Sequence, residues 1–468
     1  MNSHSLWSLR LGFSNKQATA IEKMGIAKFL DASFKLDFDN SLPDFLNESP
    51  KTTADFRERR EKYKTLNTEQ KREIQKEIQK QDGQTSLEMK SWWIEKMMNE
   101  NYPLREKMTV FLHNHYVSTY QKVKVNYWLF EHNQLLRKNA FGNFRELTKA
   151  ILKSNAMLRY LDNTDNRKGK INENLSRELL ELFTIGIGNY TEDDIKNGAK
   201  ALAGLSPGDN GGTYREKLRD TSEIVYLGKK GNFKSDDIVD IIFEQKNSPY
   251  LFTKKILQWF VYDNPPEKLV TYYGDYFRKK DFEIQPLLEK IFTEEFDKQT
   301  AGSKIKNPLE YNLQLLAELH IDPKNSRPIV AFLKSQGMDL FNQPNVKGWE
   351  GGKSWLTSQI YLQRNNIADL YCSGKENFNQ KAIANMMDST MNNSKVRKTS
   401  IHLDWKKGTN KQIISQLSDR LLFKVDEEAQ KDFEKILKYD FNPEAENADQ
   451  AVIRLFNAMV KEPEFQLI

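Results

Sequence analysis

The stretch IVDIIFEQKNSPYLFTKKILQWFV, residues 238–261, decides the fold class. Ile238, Val239, Ile242 and Phe243 recur near the i, i+3, i+4 spacing of a helix, and Phe252, Ile256, Trp259 and Phe260 do so again. Asn247-Ser248-Pro249 interrupts the pattern, because proline lacks the N–H that continues a helix. The same period returns at Leu309 to His320, Ile413 to Leu422 and Ala451 to Val460. Strand-like alternation is scarce; Ser222 to Leu227 (SEIVYL) is its best instance and reads as half of a short hairpin. The expectation is an all-α protein, one large multi-helix domain over residues 1–468 with at most a short β-hairpin.

The 468 residues are 38% hydrophobic and 29% charged, enough for a large core. Mean hydropathy is −0.72. No run of about 18 apolar residues occurs, which argues against a transmembrane helix. The opening MNSHSLWSLRLGFSNKQ lacks the basic start and long apolar run of a secretory signal, so the expected location is the cytoplasm, or outside it in company with an exported partner. Cys372 is the only cysteine, so no intrachain disulfide can form. Lys and Arg (71) nearly balance Asp and Glu (65), and the nearest basic run, Lys395 to Lys411, is short and broken by Asp404; nucleic acid is not the expected partner. Residues 51–86 are mostly Glu, Lys, Gln and Arg. Such a segment can bury little, and reads as a charged projecting helix or a mobile excursion. Ser206 to Gly212 is a turn-rich loop, and Cys372-Ser373-Gly374 marks a further break.

Three segments carry candidate chemistry. In NENLSRELLELFTIGIGNYTEDDI (Asn172 to Ile195), Leu175, Leu179, Leu182 and Phe183 form an apolar stripe on a helix advancing about 100° per residue. Glu173, Asn174, Arg177 and Glu181 fall opposite, and Glu178 lies at the edge of the stripe. Arg177 is spaced to bridge Glu173 and Glu181, each pair contributing about 0.2–0.5 kcal/mol if exposed. Gly186 and Gly188 end the helix, and Thr191 with Asp194 resembles a capping box for the next. This face is either a solvated, salt-bridged surface or a site wall. In the second case Glu178 and Glu181 present carboxylates for acid–base chemistry or a divalent metal, with Arg177 contacting an anion.

MTVFLHNHYVST (Met108 to Thr119) holds His113 and His115. Leu104, Met108, Phe111, Leu112 and His115 follow helical spacing, which sets the two histidines about 200° apart, His115 on the apolar side and His113 on the other. They cannot easily share one metal, and no recognised ligand spacing supplies the rest, so a divalent metal cofactor is unsupported. NVKGWEGGKSWLTSQIYLQRNNIADLY (Asn345 to Tyr371) opens as a glycine-rich loop around Trp349. Lys347, Lys353 and Arg364 suit an anion near the following helix start; the plainer reading is a tight turn pinned by a packed tryptophan.

In order, MTVFLHNHY, NAFGNF (Asn139 to Phe144), YLDNTDNRKGKINENLSRELLELFTIGIGNYTEDDI and PNVKGWEGGKSWL resemble the bacterial domain-of-unknown-function family 1800. LWSLRLGFS (Leu6 to Ser14) and EPEFQ (Glu462 to Gln466) are similar to that family's ends, so the resemblance spans nearly the whole chain. The resemblance implies a family without an established activity, whose members are often encoded beside an exported protein of alkaline-phosphatase-like fold. Relatives tend to carry a histidine where Phe183 stands, a Gly-Trp where Gly204-Leu205 stands, and a His-Asp where Arg219-Asp220 stands. Two functions follow as expectations. One is a hydrolase-like enzyme of the cell envelope, with catalytic His113, His115, Asp162, Glu178 and Glu181 lining one cleft and Asn163, Asn174, Arg177, Lys347 and Trp349 binding substrate. The other is a non-catalytic partner or assembly factor for the co-encoded exported protein.

Overall fold

A computed structural model describes residues 1–322, 326–374, 401–437 and 441–468. Helices dominate it. The stretch over residues 238–261 forms two, Ser235–Glu244 and Tyr250–Phe260, parted at Asn247-Ser248-Pro249 as the sequence implies. The other three periodic segments are the helices Pro308–Glu318, Asn410–Leu421 and Ala448–Met459. The expected hairpin pairs Ile224–Tyr226 with Lys229–Gly231, and a second two-stranded piece, Leu205–Ser206 with Thr213–Tyr214, flanks the turn-rich loop. That second piece has only two residues per strand, too few for alternation to show in sequence. One hydrophobic cluster runs from Leu6 to Ile468.

The charged segment forms two helices, Thr53–Lys64 and Thr68–Asn99. No described side chain from 51 to 84 is buried, and burial begins at Thr85, where Met89, Trp93, Ile94 and Met97 supply an apolar face. Of the basic run, residues 395–400 lie outside the described residues. The helix Ser358–Ser373 ends at Gly374, whose φ of +57° fits the break at Cys372-Ser373-Gly374.

The helix Leu104–His115 is central, and charged residues are buried along it with the apolar ones. Glu106 accepts from Arg137 Nε (2.6 Å) and Nη2 (2.8 Å) and from Trp93 Nε1 (2.8 Å). Lys107 donates to Glu310 Oε1 (2.5 Å) and to the Gly12 carbonyl (2.7 Å), and Lys304 donates to Glu310 Oε2 (2.9 Å). A wheel assumes one apolar and one solvated side; here both are covered, so His113 is buried as well as His115, which corrects its expected outward placement. The chain's end is tied into the same interior. Ile468 N–H donates to the Lys304 carbonyl (2.8 Å), and buried Arg364 donates to Gln466 Oε1 (3.0 Å) and the Lys306 carbonyl (2.8 Å). Arg364 therefore serves the core and is not an anion contact beside Trp349.

Candidate functional site

The Asn172 to Ile195 segment begins as the helix Asn174–Glu178 and widens into a π-helix over Leu179–Thr184. A π-turn holds an extra residue, so side chains four apart no longer stack across it. Arg177 accordingly pairs with Glu173 (3.1 Å) and with Glu192 of the next helix (3.0 Å), not with Glu181. Glu181 instead accepts from Tyr190 Oη (3.1 Å). Thr191 caps the Glu192–Leu202 helix through Asp194 N–H, with the reciprocal contact from Asp194, completing the capping box.

Glu178 and Glu181 are both half-buried, and they lie close enough that the charge of Glu181 raises the Glu178 carboxyl. Burial is the larger cause, and Arg177 and Lys347 act in the opposite direction. The Tyr160 phenol, at the end of the Asn155–Tyr160 helix, is pushed up to about 12 by burial and by the Glu178 charge. Glu181, Arg177, Lys347 and Tyr160 are thus the charged and polar groups that act on or respond to Glu178, and with it make up one polar neighbourhood, the wall of the candidate site.

Lys347 reaches this wall because its loop is pinned from behind. Asn114, between the two histidines, accepts from Trp349 N–H at 2.7 Å. Gly348 lies so close that a Cβ there would sit 2.3 Å from Asn114 Oδ1, and its φ is +83°. Glycine is required on both counts. Trp349 is 5% exposed and packs as an anchor, while Lys347 and Lys353 are exposed.

The other candidates fall elsewhere. His113 is fully buried against Trp93, His132 and Phe341; its Nε2 donates to the Ser118 carbonyl (3.2 Å), and burial pulls it down to about 3. His115 Nε2–H donates to the Phe183 carbonyl (3.1 Å), leaving Nδ1 to accept from Lys255 (3.3 Å). Burial, then the Lys255 charge, holds His115 neutral. Asp162, at φ +56°, pairs with Lys122 (2.9 Å) and accepts from Asn174 Nδ2 (3.4 Å) at the helix start. Asn163 is buried and donates to the Leu202 (3.1 Å) and Leu205 (2.8 Å) carbonyls, a bracing role. Arg177 faces Glu173 and Glu192 on the exposed side. The structure thus sets Glu178 near Glu181 and within electrostatic reach of Lys347, whose loop Trp349 anchors; Asn174 stands one turn before Glu178 on the same helix face and bonds Asp162, whereas His113 and Asn163 are buried in other contacts.

Among the described residues, no group of three or more His, Cys, Asp or Glu side chains is placed to hold a metal ion. No helix there is long and apolar enough to cross a membrane.

Residues 4–467 match the family described as Protein of unknown function (DUF1800). The chain belongs to this family. No curated protein and no solved structure shows significant similarity to it.

Two of the positions where the resemblance implies a histidine in relatives have a clear setting in this chain. Phe183 packs 6.0 Å from the His115 ring and 5.2 Å from Tyr116, so its place is filled by core packing. Arg219 donates to Asn232 Oδ1 (3.0 Å), and Asp220 accepts from Ser222 N–H (2.9 Å), both in local turn contacts. Sequence reasoning missed Tyr160 and Lys255. Tyr160 carries no local signal. Lys255 does: it stands three residues after Phe252 and four before Trp259, a cation on an apolar helix face.

Proposed function

We propose that this DUF1800 protein is a hydrolase-like enzyme whose acid–base pair is Glu178 and Glu181. The unequal setting of the two carboxylates carries the reading. Two neighbouring carboxylic acids divide into donor and acceptor when one resists ionisation. Glu178 is raised by burial and by the charge of Glu181, so it suits the general acid. Glu181, oriented by Tyr190, suits the base or the stabiliser of developing positive charge. Lys347, on a loop fixed by Asn114, supports an anionic group of substrate or transition state. The buried histidines take no part in this scheme.

A non-catalytic partner of an exported protein would need an exposed apolar patch. Among the described residues the most exposed large apolar side chains, Ile187 (73%), Leu362 (61%), Val225 (50%) and Tyr272 (50%), come from a loop, two helices and a strand, with no two from the same element, which gives that role less support.

The test is a panel of chromogenic carboxylic esters, phosphate esters and glycosides assayed with the wild-type protein and with Glu178→Gln and Glu181→Gln. Turnover of one class, reduced at least about a hundredfold by Glu178→Gln, is the expected result. Turnover unchanged in both variants, or none across the panel, would sink the proposal and direct attention to binding partners.

A further inference from the structure

We propose that Lys255 and Trp259 form a binding site for a small anionic group, a carboxylate or a phosphate, between the Tyr250–Phe260 helix and the π-helix. The site stands apart from the acid–base reading of Glu178, because it uses neither carboxylate and would persist in a non-catalytic protein.

Lys255 is half-buried and faces only neutral acceptors. Its ammonium donates to the Leu182 carbonyl at 2.9 Å and lies 3.3 Å from His115 Nδ1. Among the described residues no carboxylate pairs with it, whereas the adjacent Lys254 pairs with Glu267 at 2.6 Å. His115 cannot become the missing anion. Its Nε2–H is committed to the Phe183 carbonyl, so the ring is neutral and offers Lys255 a lone pair only. A partly desolvated cation without a counter-charge is unfavourable, and burial accordingly pulls the amine down to about 8. An external anion would remove that imbalance.

Trp259 supplies an independent observation. It lies four residues beyond Lys255, on the same helix face. It is 7% exposed, and its indole N–H has no acceptor. Buried donors are almost always bonded, so this N–H is free to take a partner, as are those of Trp7, Trp128 and Trp349; of these only Trp259 shares a helix face with an unpaired lysine. Two stacked rings link them: Lys255 meets the His115 ring at 3.3 Å, His115 stacks on Phe111 at 6.1 Å, and Trp259 lies 6.0 Å from Phe111. The π-helix explains why polar backbone is available here. Ile185 and Gly186 N–H both bond to the Leu180 carbonyl, which leaves the Leu182 and Phe183 carbonyls to accept from side chains.

The test follows the indole resonances of the full-length protein labelled with ¹⁵N-tryptophan, with Trp259→Phe identifying the relevant signal. Sodium acetate and inorganic phosphate are titrated separately into the millimolar range, against sodium chloride at matched ionic strength. The expected result is a saturable downfield shift of the Trp259 N–H with one or both anions, absent in Lys255→Met. Response to acetate alone identifies a carboxylate site, and response to phosphate alone a phosphate site. A Trp259 signal unmoved by both anions overturns the proposal, as does an equal shift in folded Lys255→Met. Should Lys255→Met not fold, calorimetry decides with Trp259→Phe, expected to weaken anion affinity roughly tenfold; unchanged affinity overturns the site.

Discussion

Gly348→Ala tests how the Lys347 loop is held. The added Cβ would sit 2.3 Å from Asn114 Oδ1 and 2.6 Å from the Asn114 carbonyl oxygen, closer than non-bonded atoms tolerate. The backbone at φ +83° adds strain for any residue with a Cβ, of order 1–2 kcal/mol. Overpacking a close contact costs typically 1–3 kcal/mol. The loop can escape the clash only by leaving Asn114. That breaks the 2.7 Å bond from Trp349 N–H, a net loss of about 1 kcal/mol, and draws out the buried indole, worth roughly 2–3 kcal/mol of apolar burial. Staying and leaving therefore have similar costs, and the expected destabilisation is about 3 kcal/mol. Denaturant unfolding measures it, and hydrogen exchange at the Trp349 amide shows whether the loop has left. A loss below about 1 kcal/mol with unchanged Trp349 protection would refute the pinning by Asn114.

Glu310→Gln leaves two buried lysines without their shared carboxylate and should cost about 3–5 kcal/mol in denaturant unfolding. The intact cluster is closer to break-even: burial raises Glu310, Lys107 and Lys304 outweigh it and hold the carboxyl down to about 2, and burial pulls Lys107 down to about 8. Because the folded Glu310 value lies below the ordinary 4.5, its contribution is complete above about pH 4.5 and is lost as pH falls toward 2; the variant should lack that part of the acid sensitivity. Thr191→Ala removes one half of a capping box and should lower stability by about 1 kcal/mol, measured by thermal or denaturant unfolding, with no change in Glu178 titration.

Much of the helical architecture was legible because period and break coincide: Ile238 to Val261 shows both the stripe and the proline that ends it. The capping box at Thr191 was legible for the same reason, since its chemistry is local. The π-helix was not. Leu175, Leu179, Leu182 and Phe183 fit an ordinary helix, and the widening after Glu178 is visible only through the carbonyls it frees to His115 and Lys255. The burial of His113 was hidden because a helix enclosed on every side carries no readable polar face. Of the wall, Glu178 and Glu181 stood out by spacing, and Lys347 by its glycine-rich loop. Their meeting depends on Asn114, whose contact with Trp349 spans 235 positions and leaves no local pattern.

The most direct test of the account is the titration of Glu178, followed by ¹³C NMR of the protein labelled at glutamate carboxyls and assigned with Glu178→Gln. The expected midpoint lies above the ordinary glutamate range, falls when Glu181→Gln removes the neighbouring charge, and rises when Lys347→Met removes one of the two opposing charges, that of Arg177 remaining. A Glu178 that titrates as an ordinary exposed glutamate, and does not respond to Glu181→Gln, would contradict the acid–base pair.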